Sequence, residues 1–244
     1  MTITQAMVLA AGLGTRMRPI TETTPKPLVK IGGKAMIDYA LDTLKETGVT
    51  TVVVNVHHHA DQMERHLASI NGLEIIISDE REQLMDSGGG LARGLKRLDA
   101  AAPALVMNAD LFWIGEPKGE PSNLTRLGKR FDPEMMDMAM LCVAESQTTG
   151  HNGKNDFSMA ADGGLTRYRV GDPDPVVYAG ALALMPGLLA DAPEEAFNLN
   201  IYFDRAIAAR RLFGERLQGH WLTVGTPDAI APAEAKIALS RQES

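Results

Sequence analysis

Two glycines, two arginines and a lysine fall within the fifteen residues "GLGTRMRPITETTPK", Gly12 to Lys26. These residue types in one loop suit a phosphate. Gly12 and Gly14 let backbone N–H groups approach an anion with no side chain between them. Arg16 offers a planar fork to terminal phosphate oxygens, and Lys26 is a compact charge suited to one phosphoryl group. Ala10 and Ala11 are small enough for a flat base to lie against the chain. Pro25 and Pro27 predict a stiff, extended segment carrying Lys26. The spacing excludes two common phosphate loops. A dinucleotide fingerprint needs glycine where Met17 stands, and a Walker loop ends in Gly-Lys-Ser/Thr.

Elements must hold this loop in place. Ala6–Leu9, Thr51–Val56, Leu73–Ile77 and Ala104–Met107 are short apolar runs of the kind buried parallel strands show. Between them Met36, Ala40 and Leu44 repeat at helical spacing. Met63, Leu67 and Ile70 do the same behind a capping box at Asp61 and Glu64. Leu91, Leu95 and Leu98 form a third stripe after "SGGG". Strand and helix alternating in this way predict an α/β fold with a mainly parallel sheet. The loop leaves the first strand at its carboxyl end, where open α/β sheets bind ligands. After Asp110 the rhythm loosens. Strands are expected at Met138–Val143, Phe157–Ala160, Leu165–Val170 and Val176–Leu184, and a helix at Asn200–Ala209. A last helix should start at "GTPDA", capped by Thr226 with Pro227 first.

The 244 residues carry a formal net charge of −7, which argues against a nucleic-acid partner and for a small anion held by local cations. Cys142 is the single cysteine, so no internal disulfide or cysteine-based zinc site can form, and "MAMLCVA" makes it a buried hydrophobe. No apolar run reaches the ~20 residues of a membrane span, and the N-terminus has no basic, signal-like start. A cytoplasmic protein is expected. His57–His59 read as polar loop histidines at the ligand edge, because three consecutive side chains seldom converge on one ion. Met135, Met136, Met138 and Met140 read as core fillers, while Trp113 and Trp221 suit either a sugar platform or a wall.

The stretch "LAAGLGTRMRPITETTPKPLVKIGGKAMIDYAL" resembles the signature of the nucleoside-diphosphate-sugar pyrophosphorylases, the sugar-1-phosphate nucleotidyltransferases. "SGGGLARGL", "VMNADLFW", "VYAGALAL" and "HWLTVGTP" resemble later motifs of that family, so the likeness covers nearly the whole chain. It implies a Rossmann-like mixed, mainly parallel sheet flanked by helices, with a small sugar-binding lobe. One domain would span 1–244: a nucleotide half over 1–110, a sugar half over 111–226 and a C-terminal helix over 227–244. The implied reaction joins a sugar 1-phosphate to the α-phosphorus of a nucleoside triphosphate and releases pyrophosphate. By that resemblance Arg16 and Lys26 are the catalytic residues. The nucleotide would lie on Leu9, Ala10, Ala11, Gly12, Gly14, Thr15, Glu82, Gly88, Gly89 and Asn108, besides Arg16 and Lys26.

The resemblance also implies Mg²⁺ on Asp110, with Asn108 orienting its surroundings. Thr223 stands where the family writes a second metal aspartate, in "HWLTVGT". A neutral hydroxyl ligates weakly, so the metal would be held less tightly, and a nucleotide-binding protein without turnover is the alternative of another class. Within the family "HNGKNDF", with His151, Gly153 and Asp156, resembles the compact N-acetylmuramate-1-phosphate uridylyltransferases. Gly153, Asp156, Gly180 and Asn200 would then meet the sugar, and the loop of Glu82 and Gln83 the base edge. UTP and N-acetylmuramate 1-phosphate are the expected substrates. A mannose- or other hexose-1-phosphate guanylyl- or uridylyltransferase is the alternative within the class. The resemblance leaves both a monomer and a homodimer open.

Overall fold

The four apolar runs of the first half pair side by side. In the computed structural model, which describes residues 2–151 and 153–242, they are β1 (Gln5–Leu9), β2 (Thr51–Val56), β3 (Glu74–Asp79) and β4 (Ala104–Asn108). All are parallel, in the order β4-β1-β2-β3. The period-two pattern sends Ala6 and Val8 to one face and Met7 to the other. Helix α1 (Met36–Glu46) covers the first face through Ile37, Ala40, Leu41 and Leu44, together with α2 (Ala60–Leu67). Helix α3 (Asp86–Leu95) covers the second through Leu91 and Leu95.

The second half extends the sheet mostly with antiparallel pairs. A short β5 (Leu111–Ile114) and α4 (Asn123–Arg130) lead to β6 (Met138–Val143). Then follow β7 (Phe157–Met159), β8 (Leu165–Arg167) and the long β9 (Pro175–Leu184). Helix α5 (Asn200–Ala208), β10 (Leu212–Arg216), β11 (His220–Thr223) and α6 (Ile230–Gln242) complete the chain. The nine-stranded sheet runs β8-β7-β9-β4-β1-β2-β3, with β6 joining β9 to β10. A small second sheet pairs β5 with β11 and β11 with Thr148–Thr149. It and α6 build a third core, in which Met17 of the phosphate loop packs with Phe112, Leu222, Val224 and Ile237.

Several local expectations change. Helix α2 starts at Ala60 behind a left-handed His59 (φ 51°), so Asp61 lies inside the first turn and pairs with Arg81 at 2.8 Å instead of capping. "SGGG" does not precede α3 but forms its first turns. Thr226 makes no side-chain cap; its carbonyl accepts from Ala229 N–H in a tight turn ahead of α6. The strand expected through Val170 stops at Arg167, because the Asp172 carboxylate captures the Arg169 amide in a turn and leaves Val170 exposed. Lys26 opens a single 3₁₀ turn, Lys26–Leu28, instead of lying extended, since Leu28 N–H bonds back to Pro25. Met136, Met138 and Met140 are core fillers, whereas Met135 is exposed. Residues 243 and 244 of the expected last helix lie outside the described residues.

Candidate functional site

A cleft of about 260 Å³ opens beyond the carboxyl ends of β1, β2 and β4. Leu9, Ala10, Ala11 and Gly12 form one wall, Lys26, Pro27 and Asp110 one end, and Asn55, Glu80, Leu84 and Ser87 the other side. The loop between Gly12 and Lys26 is folded on itself. Gly14 has φ +62°, and a Cβ there would stand 2.9 Å from Thr21 and 3.0 Å from Lys26, so only glycine closes the loop. Its carbonyl accepts from Met17 N–H and from the Thr21 hydroxyl, both at 2.8 Å.

Two of the three histidines fasten this loop from outside, while His57 Nδ1 meets the Glu80 carbonyl at 2.7 Å. His58 Nε2 meets the Thr21 carbonyl at 2.7 Å, His59 Nε2 the Glu22 carbonyl at 3.1 Å, and Gln62 donates to the Thr23 carbonyl at 2.9 Å. Three successive loop carbonyls are thus held by the β2–α2 junction. The expectation of polar loop histidines holds, and their partners are loop backbone.

Lys26 is buried, and its Nζ lies 2.5 Å from Asp110 Oδ2. The two residues come from different parts of the chain, one from the loop after β1 and one from the end of β4. Arg16 is exposed on the 3₁₀ turn Thr15–Met17, where a Cβ on Gly225 would stand 3.5 Å from its guanidinium. Its cationic end therefore lies by the Val224–Thr226 turn, and neither it nor Thr15 lines the cleft. Thr223 pairs with Leu111 across β5 and β11, and Val224 N–H reaches the Asp110 carbonyl at 3.4 Å. The register thus places Thr223 opposite Leu111, the residue that follows Asp110.

At the base end the expected contacts shift. Glu82 and Gln83 are exposed and lie outside the lining; Glu80 and Leu84 stand there instead. Glu80 is fully buried and accepts from Asn55 Nδ2 at 2.7 Å and Met85 N–H at 3.1 Å. Gly88 and Gly89 were expected to meet the nucleotide, but both amides are directed at the Phe197 carbonyl, 2.8 and 3.2 Å away. Their missing Cβ atoms make room for Phe197 and the Glu195 carbonyl, so these glycines serve close packing of α3. The buried Asn55 and Glu80 were missed. An asparagine next to the end of a Val-rich strand and an acid two residues beyond Ser78 were the available signals.

A second pocket of about 210 Å³ adjoins the first and shares Leu9, Ser87 and Asn108 with it. Asp156, Arg167, Tyr178, Asn198 and Asn200 supply its polar groups, over Phe157 and Phe203. Two expected sugar residues, Asp156 and Asn200, are there. Asp156 accepts from Tyr178 N–H at 2.9 Å; though at the rim, it has enough protein around its carboxyl to push its pKa up. Arg167 donates to Asp204 and Asn200, each at 2.8 Å, above the Phe157 ring. It is the one cation among the lining residues, and sequence reasoning passed over it. Gly153 is exposed in the loop before Asp156 and lies outside the lining.

Gly180 is also not in this wall. It sits in the bulge of β9 at φ +72°, and a Cβ would come within 2.1 Å of Leu111. Its role is to let β9 pass the residue that follows Asp110. Trp113 and Trp221 are buried partners across β5 and β11, and Trp221 Nε1 donates to Ala179 O at 3.0 Å. They are wall, not platform. Cys142 is buried, and burial pushes its thiol pKa up, which keeps it protonated and inert.

Among the described residues no group of three His, Cys, Asp or Glu side chains is placed to hold a metal ion. Mg²⁺ needs no such cage: it commonly uses one or two carboxylates, substrate phosphates and water. Asp110, at the end of the cleft, is one such carboxylate. No described helix is long and apolar enough to cross a membrane.

Comparison with known proteins agrees with this geometry. The nucleotidyl transferase family model matches residues 5–118. The chain is 41% identical, over 96% of each chain, to N-acetylmuramate alpha-1-phosphate uridylyltransferase of Caulobacter vibrioides. It is 32% identical to the Neisseria meningitidis protein of the same name, over 95% of this chain and 97% of the other. Among solved structures, HddC from Yersinia pseudotuberculosis superposes with a TM-score of 0.74 at 18% identity, over 96% of this chain and all of that one, which shows the shared fold. The cleft at the strand ends, the folded phosphate loop and two relatives matched over nearly their whole length lead to one conclusion: the chain belongs to the sugar-1-phosphate nucleotidyltransferases.

Proposed function

We propose that the protein transfers a uridylyl group from UTP to N-acetylmuramate 1-phosphate, forming the UDP-sugar and pyrophosphate. The observation that carries the sugar is Arg167, the single cation in the pocket beside the nucleotide cleft. Muramate differs from ordinary hexosamines by a lactyl carboxylate, and a guanidinium pre-set by Asp204 and Asn200 is a natural fork for it. The extensive identity to two uridylyltransferases supports both substrates.

In this reading the base and ribose occupy the Ala10–Glu80–Leu84 end, and the triphosphate runs toward the Gly12–Lys26 loop. A phosphate oxygen of the sugar 1-phosphate attacks the α-phosphorus, and the bond from that phosphorus to the bridging oxygen of the leaving pyrophosphate breaks. The pockets meet at Asn108, two residues before Asp110, so nucleophile and α-phosphate are brought together there. Lys26 meets the charge growing on the transferred phosphoryl group. By the family resemblance Arg16, exposed beside the cleft by the Val224–Thr226 turn, would take the departing pyrophosphate. Asp110, helped by Thr223, would hold Mg²⁺, which neutralises phosphate charge when bound. Asp156 and the two asparagines orient sugar hydroxyls and the acetamido group.

The test is pyrophosphate release from four nucleoside triphosphates, each offered N-acetylmuramate 1-phosphate and N-acetylglucosamine 1-phosphate with Mg²⁺. UTP with the muramate should be the best pair. Arg167→Met should lose the preference for muramate while keeping the glucosamine rate. A wild-type protein that binds nucleotide but releases no pyrophosphate from any pair would sink the reading.

A further inference from the structure

The buried contacts between the two walls of the nucleotide cleft form a chain with a fixed polarity. Ala10 N–H donates to Asn55 Oδ1 at 2.6 Å, Asn55 Nδ2 donates to Glu80 Oε1 at 2.7 Å, and Met85 N–H donates to Glu80 Oε2 at 3.1 Å. Both ends are backbone N–H groups, which only donate. Two side chains linking two donors must between them accept at both outer contacts and use one donor at the inner one. Asparagine followed by a carboxylate meets that requirement; asparagine followed by glutamine cannot, since one contact would then join two donors.

Asn55 and Glu80 are 3% and 0% exposed, so water cannot repair a mismatch. Helix α3 seals the pair. A Cβ on Gly90 would stand 2.8 Å from both Asn55 Nδ2 and Glu80 Oε1, which fixes glycine where the helix crosses. The two backbone ends belong to different parts of the cleft. Ala10 begins the phosphate loop, and Met85 stands at the start of α3 on the base side.

We infer that Asn55 and Glu80 are positioning residues that set the distance between the base wall and the phosphate loop. A nucleoside triphosphate spans both ends, so the pair fixes where its α-phosphate lies relative to its base. This rests on the nucleotide occupying the cleft, as in the function proposed above, but not on which sugar is used. The acid here is retained for its acceptor-only character, which the residue's shape alone does not provide.

The experiment is a polarity swap. Glu80→Gln and Asn55→Asp each keep size and break the chain, the first by opposing two donors and the second by opposing two carboxylates. The double variant N55D/E80Q restores it. There the new carboxylate at position 55 accepts from Ala10 N–H and from the new amide nitrogen at position 80. The amide oxygen at position 80 in turn accepts from Met85 N–H. Each single variant should weaken UTP binding by about ten- to a hundred-fold, the range expected when a buried polar group loses its partner. The KM for the sugar phosphate should stay unchanged. The double variant should return UTP affinity to within about threefold of wild type, a difference under 1 kcal/mol.

UTP binding by calorimetry, kinetics and thermal unfolding would be measured on all four proteins. A double variant no better than the worse single, or singles that raise the sugar-phosphate KM as much as they weaken UTP, overturns the inference. If the singles do not fold, a folded double variant supports the polarity chain and an unfolded one overturns it. Because UTP binding is read directly, a wild type that binds UTP without turnover would refute the proposed reaction and still leave the swap to be scored.

Discussion

Replacing Lys26 with methionine removes one charge while keeping most of the buried stem. The native Nζ lies 2.5 Å from Asp110 in a side chain only 10% exposed, so the ammonium is held in place before substrate arrives. An aligned donor of this kind, facing charge that grows only in the transition state, is worth about 2.7–4 kcal/mol, or 10²- to 10³-fold in kcat. Nucleotide affinity should move far less. The Gly12 wall, Asn55–Glu80 and the rest of the cleft still hold the base and phosphates, and Asp110 is 35% exposed, so water can solvate the carboxylate that loses its partner.

The expected result is a kcat lowered at least a hundredfold with a UTP dissociation constant changed by no more than about threefold, or under 1 kcal/mol. Single-turnover pyrophosphate release would give the first number and calorimetry with UTP and Mg²⁺ the second. Equal losses in affinity and turnover would falsify the assignment and make the loop a holder of phosphate only.

Gly180→Ala should destabilise the protein by about 2–4 kcal/mol in urea unfolding, because a Cβ 2.1 Å from Leu111 must displace it at a φ of +72°; wild-type stability would show that β9 relaxes freely there. Burial raises the folded pKa of Asp156, so the folded state keeps its proton longer and stability falls as pH rises from the ordinary value of 3.8 through the raised one. Asp156→Asn should abolish that step and be no less stable at pH 7, while raising the KM for the sugar phosphate; a variant less stable at pH 7 than wild type would contradict the sign. Thr223→Asp adds a carboxylate opposite Leu111, the residue after Asp110, so Mn²⁺ should bind more tightly by electron paramagnetic resonance, and unchanged affinity would mean the Thr223 position does not reach the metal.

The amino-acid order determined a great deal by itself. The four apolar runs, the three helical stripes and the glycine-and-cation loop are local patterns, and a period of two or 3.6 residues survives whatever the chain later packs against. The loop's position at a strand end followed from the same patterns, whereas Asp110 was singled out by the family resemblance and its contact with Lys26 only by the fold. What stayed hidden depended on contacts between distant residues. Glu80 looks like one more acid in "SDEREQ" until β2 and β3 align it with Asn55. The "GGG" run looks like a turn until Phe197, the Glu195 carbonyl and the Asn55–Glu80 pair show why a helix there can have no Cβ. Arg167 is an ordinary strand residue until α5 brings Asp204 and Asn200 beside it. Periodicity reports which face of an element is buried. Only the tertiary structure decided which donor met which acceptor, because that depends on register and crossing between elements far apart in the chain.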